Sequence, residues 1–330
     1  MRVALAERYG PPEVAVVGTR PLPEPGPGEL RVRVLAASVG SSDSAGRAGS
    51  PWFARLAYGL RRPRQPVFGS DFAGIVDAVG PGTTRFTVGE RVFGATGAAA
   101  GAHAEFVVVG EAGAVVRLPE GLPMADAAAL CDGALTALPF LRDGGHVGPG
   151  TRVLITGAAG SVGSAAVQLA RHLGADVTGT CSTAHVEDVR ALGAQRVIDR
   201  TQVDPMRTGE RYDVVFDAAG KSTFRHARGA LVNGGVYLTT VPSWAIMVQQ
   251  LTSRLGRKRA AIMFTGLRSD EAKRPDLEEL AALAVEGVIR PAIDRVLPID
   301  RIADAYAVVD TGHKRGSVIV TPSRETGEES

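Results

Sequence analysis

The sequence predicts an α/β protein in which a β-rich N-terminal region precedes a doubly wound parallel sheet. Three observations carry this. Short alternating apolar runs, separated by glycine and proline turns, fill residues 1–120. Between Arg152 and Thr183 an apolar β-branched run, a glycine turn, a helical spacing and a second β-rich run succeed one another, the unit of a parallel sheet. Beyond it, strand and helix patterns keep alternating.

In the first region Leu30–Ala36, Ala73–Val79 and Glu105–Val109 read as strands. PEPGPGE, VGPGTTRF and GATGAAAGAH supply the turns around them, and Gly89–Gly94 is a tight turn feeding a short strand. From Pro123 the rhythm becomes helical, with Met124–Leu141 rich in alanine and leucine. Gly148-Pro149-Gly150 then introduces the strand that ends at Thr156. Ala165, Ala166, Val167, Leu169 and Ala170 recur at helical spacing, and Asp176–Cys181 is the next strand. Arg196–Asp199 and Tyr212–Asp217 follow as strands, Thr223–Leu231 as a helix and Gly235–Thr240 as a strand. Pro275–Glu286 is an amphipathic helix, Arg290–Leu297 and Ser317–Val320 are late strands, and the tail RETGEES is polar.

At 330 residues the chain accommodates two domains, each with its own core. Its 37 basic against 35 acidic residues leave no electrostatic footprint for nucleic acid. Only Cys131 and Cys181 are present, which excludes a disulfide framework and a cysteine-rich metal site. The six histidines show no ligand spacing, so no metal is expected, and His103 and His172 read as surface residues. No apolar run approaches the ~20 residues of a membrane span and the start lacks a signal peptide's apolar core. The expectation is a cytoplasmic, reduced protein without a membrane partner.

The chemistry concentrates in Gly157-Ala158-Ala159-Gly160-Ser161-Val162-Gly163. Gly157 allows a tight turn, Gly160 lets phosphate oxygens approach bare backbone, and Gly163 lets the helix pack close to the strand. In this strand–turn–helix context the pattern implies a dinucleotide whose pyrophosphate sits on the helix N-terminus. The second strand ends in Thr180-Cys181-Ser182-Thr183, without the carboxylate that holds a ribose 2′-hydroxyl; the next acid is Glu187. That favours NADPH. Ser182 and Thr183 either donate to the 2′-phosphate or cap the helix starting near His185. Arg200, Lys314 or Arg315 would supply the positive charge.

Matching pieces run nearly end to end: GSDFAGIVDAVGPGTTRFTVGERVFG (69–94), GAHAEFVVV (101–109), DGALTALPFLRD (132–143), the dinucleotide unit, LGAQRVIDR (192–200), YDVVFDAAGKS (212–222) and GHKRGSVIV (312–320). With these the chain resembles the zinc-independent, quinone-oxidoreductase-like branch of the medium-chain dehydrogenase/reductase superfamily. The resemblance implies a GroES-like β-rich catalytic domain, residues 1–124 plus 263–330, interrupted by a Rossmann NADP-binding domain, residues 125–262. The cofactor would lie in the cleft between them, with Thr136 near the nicotinamide, Thr240 and Val241 on its ribose side, and Phe264, Thr265 and Gly266 approaching from the returning segment. Related chains commonly read VIDY where this one has Val197-Ile198-Asp199-Arg200, and an arginine there offers a planar charged fork suited to phosphate. The alternative for Arg200 is a solvent-facing side chain, or one paired with Asp199 or Asp204. The resemblance also implies a homodimer.

Zinc-dependent members carry a Cys and a Gly-His-Glu motif where this chain has Val39-Gly40-Ser41-Ser42-Asp43 and Gly69-Ser70-Asp71. Zinc-independent relatives usually place Asn at position 40. Its replacement by glycine opens space for a bulkier substrate, or passes the polar contact to Ser41, Ser42 or Asp43; Ser42 and Asp43 are the catalytic candidates. The competing reading of Asp43 is a loop tie through backbone hydrogen bonds. Without zinc the easiest hydride acceptor is a hydrophobic conjugated carbonyl, a quinone or an enone, which delocalises the incoming charge. Trp52, Phe53 and Tyr58, and Trp244 and Met247, are the substrate-pocket candidates, with core or interface packing as the alternative. A ketone/alcohol oxidoreductase and a catalytically silent NADPH-binding protein are the rival functions.

Overall fold

A computed structural model describes residues 1–50, 52 and 55–323. Along the chain the strands are β1 (Arg2–Leu5), β2 (Val16–Thr19), β3 (Glu29–Val39), β4 (Asp71–Val79), β5 (Arg91–Ala95), β6 (Phe106–Gly110), β7 (Ala114–Arg117), β8 (Arg152–Thr156), β9 (Asp176–Cys181), β10 (Arg196–Asp199), β11 (Tyr212–Asp217), β12 (Leu231–Thr239), β13 (Arg259–Ile262), β14 (Ile293–Pro298) and β15 (Ser317–Thr321). The helices are α1 (Ser41–Ala48), α2 (Arg55–Tyr58), α3 (Met124–Ala129), α4 (Leu135–Pro139), α5 (Ser161–His172), α6 (Val186–Ala191), α7 (Phe224–Ala227), α8 (Trp244–Thr252), α9 (Asp270–Val285) and α10 (Ile302–Asp310). The chain forms two compact units.

The first unit comprises 1–132, 266–286 and 293–330. Its mostly antiparallel sheet runs β14-β15-β3-β4-β5-β7, with β6 also on β3. Strand β3 shows why: Leu30, Val32 and Val34 are buried while Glu29, Arg31 and Arg33 between them are half-buried, after which the strand is buried throughout. Leu30, Val32, Phe72, Val92, Tyr306 and Val318 form the centre of its core.

The second unit comprises 133–265 and 287–292. Its six strands are all parallel in the order β10-β9-β8-β11-β12-β13, the doubly wound order that reverses between β8 and β11. Every β→α connection therefore emerges at one edge of the sheet, which is where a ligand would sit.

Several elements differ from expectation: the strand expected over 235–240 already begins at Leu231, and the one expected from Arg290 begins at Ile293. The helix expected over 223–231 stops at Ala227, because Leu231 already pairs with Tyr212 as β12 begins. Helix α9 starts at Asp270, not Pro275: Ser269 is extended ahead of it and Asp270 and Glu271 fill its first turn, so Pro275 removes only one early backbone bond. The expectation that no apolar segment is long enough to span a membrane also fails. Met124–Gly144 has the length and composition (21 residues, mean hydropathy 1.3), but 78% of its most apolar stretch is buried, as in a core helix. It contains two wider, i→i+5 turns, Leu130–Ala134 and Phe140–Gly144.

Candidate active site

In the second unit the turn after β8 meets three separate geometric demands. Gly157 has φ +68°, a left-handed conformation that favours glycine. A Cβ on Gly160 would touch only the Gly157 carbonyl, at 3.5 Å, so the backbone there is open to a ligand. A Cβ on Gly163 would lie 2.1 Å from the Gly157 carbonyl oxygen and 2.9 Å from Ala158 Cα, so only glycine permits α5 to start this close. Gly160 is the extended N-cap and supplies no side-chain cap to the first turn of α5. Gly133 brings the long helix to the same place, since its Cβ would be 2.5 Å from the Ser161 carbonyl. Thr136, half-buried, follows one turn later.

At the ends of β9 and β10 the two readings of Ser182 and Thr183 resolve differently. Ser182 precedes the short turn Thr183–His185 without capping it. The Thr183 hydroxyl donates to Asp199 Oδ2 at 2.6 Å. Asp199 also accepts from the Thr201 amide and hydroxyl and from Gln202, and these donors hold its carboxyl below the usual range. A carboxylate that a scan of the β9 end misses is thus delivered by the neighbouring strand. Arg200 is exposed and makes no side-chain hydrogen bond or ion pair among the described residues, because Asp199 is taken and Asp204 pairs with His226 and Arg207.

Asp217, at the end of β11, is fully buried and organises the next loop. It accepts from Thr156 Oγ1 (2.6 Å), Tyr237 OH (2.9 Å) and the Ser222 amide (2.8 Å). The Thr240 hydroxyl donates to the Ala218 carbonyl, and Val241 packs so tightly on Gly220 that a Cβ there would lie 2.1 Å away. Phe264 is exposed and Thr265 half-buried just after β13. Gly266, Lys314 and Arg315 belong to the first unit. Lys314 is not the free cation expected for a phosphate: its ammonium is buried, 3.8 Å from Asp132 Oδ2, and donates to the Gly316 carbonyl.

In the first unit the Gly40 turn corrects a catalytic assignment. Asp43 is buried, and its two oxygens accept from the Gly40 amide (2.8 Å) and the Gly69 amide (3.1 Å). It ties one loop to another, and burial pushes its carboxyl above the usual range. Ser42 is exposed beside it. Asp71 is buried, accepts from Ser38 Oγ at 2.7 Å, and is pushed up to about 8 by burial and then by the Asp132 charge. His103 is not a surface residue but fully buried, with Nε2 2.8 Å from the Ser38 carbonyl and its ring edge-on to Tyr306. No sequence signal foretells this, since a lone histidine in a turn carries no burial pattern. Nor does sequence expose Asp132, whose Oδ1 lies 3.2 Å from where a Gly40 Cβ would be.

The pocket candidates divide between the units. Trp52 is exposed and Tyr58 half-buried against Phe68 in the first; Trp244 and Met247 are exposed on α8 in the second. Phe53 lies outside the described residues.

The alcohol dehydrogenase GroES-like domain family matches residues 26–120, and the zinc-binding dehydrogenase family matches residues 192–320. The chain is 30% identical to the chloroplast envelope quinone oxidoreductase homolog of Arabidopsis thaliana, covering 92% of each chain. It is 31% identical to a segment of the pikromycin polyketide synthase component PikAII of Streptomyces venezuelae, over 91% of this chain but only 8% of that much longer protein. The solved quinone oxidoreductase from Coxiella burnetii superposes with a TM-score of 0.88 at 26% identity, covering 98% of this chain and 99% of the other. One family name implies zinc. Gly40 offers no ligand atom, and among the described residues no three His, Cys, Asp or Glu side chains are grouped to hold a metal.

Proposed function

This chain belongs to the quinone-oxidoreductase-like branch of the medium-chain dehydrogenase/reductase superfamily and is a nicotinamide-dependent oxidoreductase; from that we propose a zinc-independent, NADPH-dependent reductase of conjugated carbonyls, quinones or enones. The observation that carries the cofactor half is the turn 157–163, where one glycine bends, one lies open and one admits the helix. Of the backbone donors expected at Gly160, Ser161 and Val162, the Gly160 amide donates to the Gly157 carbonyl at 3.0 Å, so those of Ser161 and Val162 would hold the pyrophosphate beside Ala158, and the Ser182 hydroxyl and Arg200 guanidinium the 2′-phosphate. NADPH supplies the hydride when bound. Thr240, Val241 and the Asp217-braced loop shape its ribose side, and Thr136 approaches from the long helix.

A conjugated acceptor is favoured because, among the described residues, no set is grouped to hold a zinc ion that would polarise an isolated ketone. Such an acceptor spreads its developing charge onto an oxygen that one or two hydrogen-bond donors can stabilise. The exposed Ser42 hydroxyl is the donor we assign. Trp52 and Tyr58 in unit one remain candidates for apolar contacts with substrate, as, separately, do Trp244 and Met247 in unit two. Unit one would be the catalytic domain and unit two the NADP domain.

The same reading makes the protein a cytoplasmic homodimer. Strand β13 is the outer strand of its sheet, and α8 with the following turn exposes Trp244, Val248, Leu251 and Leu255, the last at 96%. Cys131 and Cys181 are free and buried, which suits a reducing compartment.

The test is a panel of quinones, enones, ketones and alcohols assayed with stereospecifically deuterated NADPH. Deuterium on the β-carbon of an enone, or label-dependent quinone reduction, is the expected result. Deuterium on the carbinol carbon of a saturated ketone would favour the ketone/alcohol reading, and no transfer at all the silent protein.

A further inference from the structure

Asp132 stands in the first wide turn of the long helix, with its side chain 11% exposed. One carboxylate oxygen is anchored: Oδ2 accepts from Ser317 Oγ at 2.8 Å and lies 3.8 Å from Lys314 Nζ, itself only 9% exposed. Lys314 is in turn fixed by its bond to the Gly316 carbonyl at 2.6 Å. The other oxygen is different. Oδ1 accepts no hydrogen bond among the described residues and is reached by solvent.

That oxygen points at Gly40, 3.2 Å from the site a Cβ would occupy, with Asp43 Oδ2 at 3.4 Å and the Ser42 hydroxyl at 3.7 Å from the same site. The approach to the Gly40 backbone is therefore bounded by a carboxylate from another element, beside the Asp43 carboxyl that the Gly40 amide already holds. A carboxylate can only accept, so the ligand group that complements it is an O–H or N–H donor. Its Lys314 and Ser317 supports hold it in one geometry, which is what selectivity requires.

We propose that Asp132 is a specificity-determining residue: beside Gly40 it receives a hydroxyl that the substrate carries near its conjugated carbonyl, with Lys314 and Ser317 as positioning residues. This rests on the conjugated-carbonyl reading above. A hydrogen bond to an ionised acceptor contributes a factor of roughly ten to a hundred in binding, and an analogue lacking the hydroxyl forgoes it while still filling the same apolar walls.

The experiment compares 4-hydroxy-trans-2-nonenal with trans-2-nonenal, acceptors that differ by one hydroxyl, using NADPH and the whole chain. The measured quantity is the ratio of their kcat/KM values in wild type and in Asp132→Ala. The ratio should fall by roughly ten- to a hundredfold in the variant, with thermal midpoint and NADPH affinity reporting that it is folded. Asp132→Asn, which keeps the shape and can keep the Ser317 bond, should lower the ratio in the same direction, and serves if the alanine variant does not fold. A ratio unchanged in a folded variant overturns the inference and leaves the reductase reading standing. Turnover of neither aldehyde by wild type, with quinones also untouched, removes the reading and this inference with it. A residue that merely supported the fold would lower both efficiencies together and leave the ratio alone.

Discussion

Replacing Arg200 by alanine isolates the cofactor assignment, because among the described residues this side chain makes no hydrogen bond or ion pair. Its guanidinium is exposed and makes no ion pair among the described residues; Asp199 is occupied by Thr183, Thr201 and Gln202, and Asp204 by His226 and Arg207. Removing it should therefore alter folding stability by no more than about 0.5 kcal/mol, the range of an exposed surface substitution. Against a 2′-phosphate the same group makes charge-assisted hydrogen bonds of about 1.5–3 kcal/mol each, so NADPH affinity should drop roughly ten- to a hundredfold at moderate salt. NADH, which lacks the phosphate, should bind about equally to both proteins. Titrating each cofactor into wild type and variant by nicotinamide fluorescence or calorimetry measures the difference directly. The NADPH loss should shrink as salt is raised. Asp199→Asn is the companion, since withdrawing a carboxylate from the same edge should strengthen NADPH more than NADH. Equal small effects of Arg200→Ala on both cofactors would refute the assignment and leave Arg200 a solvent-facing residue.

Gly160→Val and Gly163→Ala should both abolish NADPH binding, but for different reasons. The first leaves the melting temperature close to wild type because open space lies above Gly160; the second drives a Cβ to 2.1 Å from backbone and lowers stability by about 1–3 kcal/mol or more, seen in thermal melts. Asp71 keeps its proton up to about 8 in the folded state, whereas an unfolded carboxyl ionises near about 4. The unfolded chain thus binds fewer protons across that window, and stability falls as pH rises through it, by up to about 1.4 kcal/mol per pH unit. Asp71→Asn should flatten this slope, gaining on wild type toward pH 8 and nothing below pH 4, and denaturant midpoints taken across the window would show parallel curves if the reasoning fails. Leu251→Glu combined with Leu255→Glu on the exposed apolar face should convert the proposed dimer to monomer in sedimentation, with the same secondary structure. Cys181, pushed up to about 11 by burial, should resist thiol reagents at neutral pH until the protein is unfolded.

What a single chain pass can read is local. The strand, turn and helix around Gly157–Gly163 were legible because each glycine's role is set within seven residues, by its own dihedrals and by the backbone of the turn it belongs to. The same holds for β9 and β11, whose apolar runs end where the strands end. The family resemblance was legible for a related reason, that its motifs are contiguous stretches.

Charge and burial between segments were not legible. His103 was expected outside and is enclosed by Ser38 and Tyr306, residues that lie far from it in the chain. Asp43 offered a loop tie or catalysis with equal right, and only the Gly69 amide across the fold decided for the tie. Lys314, one of three cations the sequence offers for a phosphate, pairs with Asp132, and Asp199, which the sequence offers only as a partner for Arg200, accepts from Thr183 across an adjacent strand. The sequence by itself determined where the backbone must bend and which segments must be strand or helix, since those preferences are steric and span a few residues. Tertiary structure alone decided which polar groups meet, because a hydrogen bond or an ion pair depends on distances of a few ångströms between residues that the chain's linear order leaves unrelated.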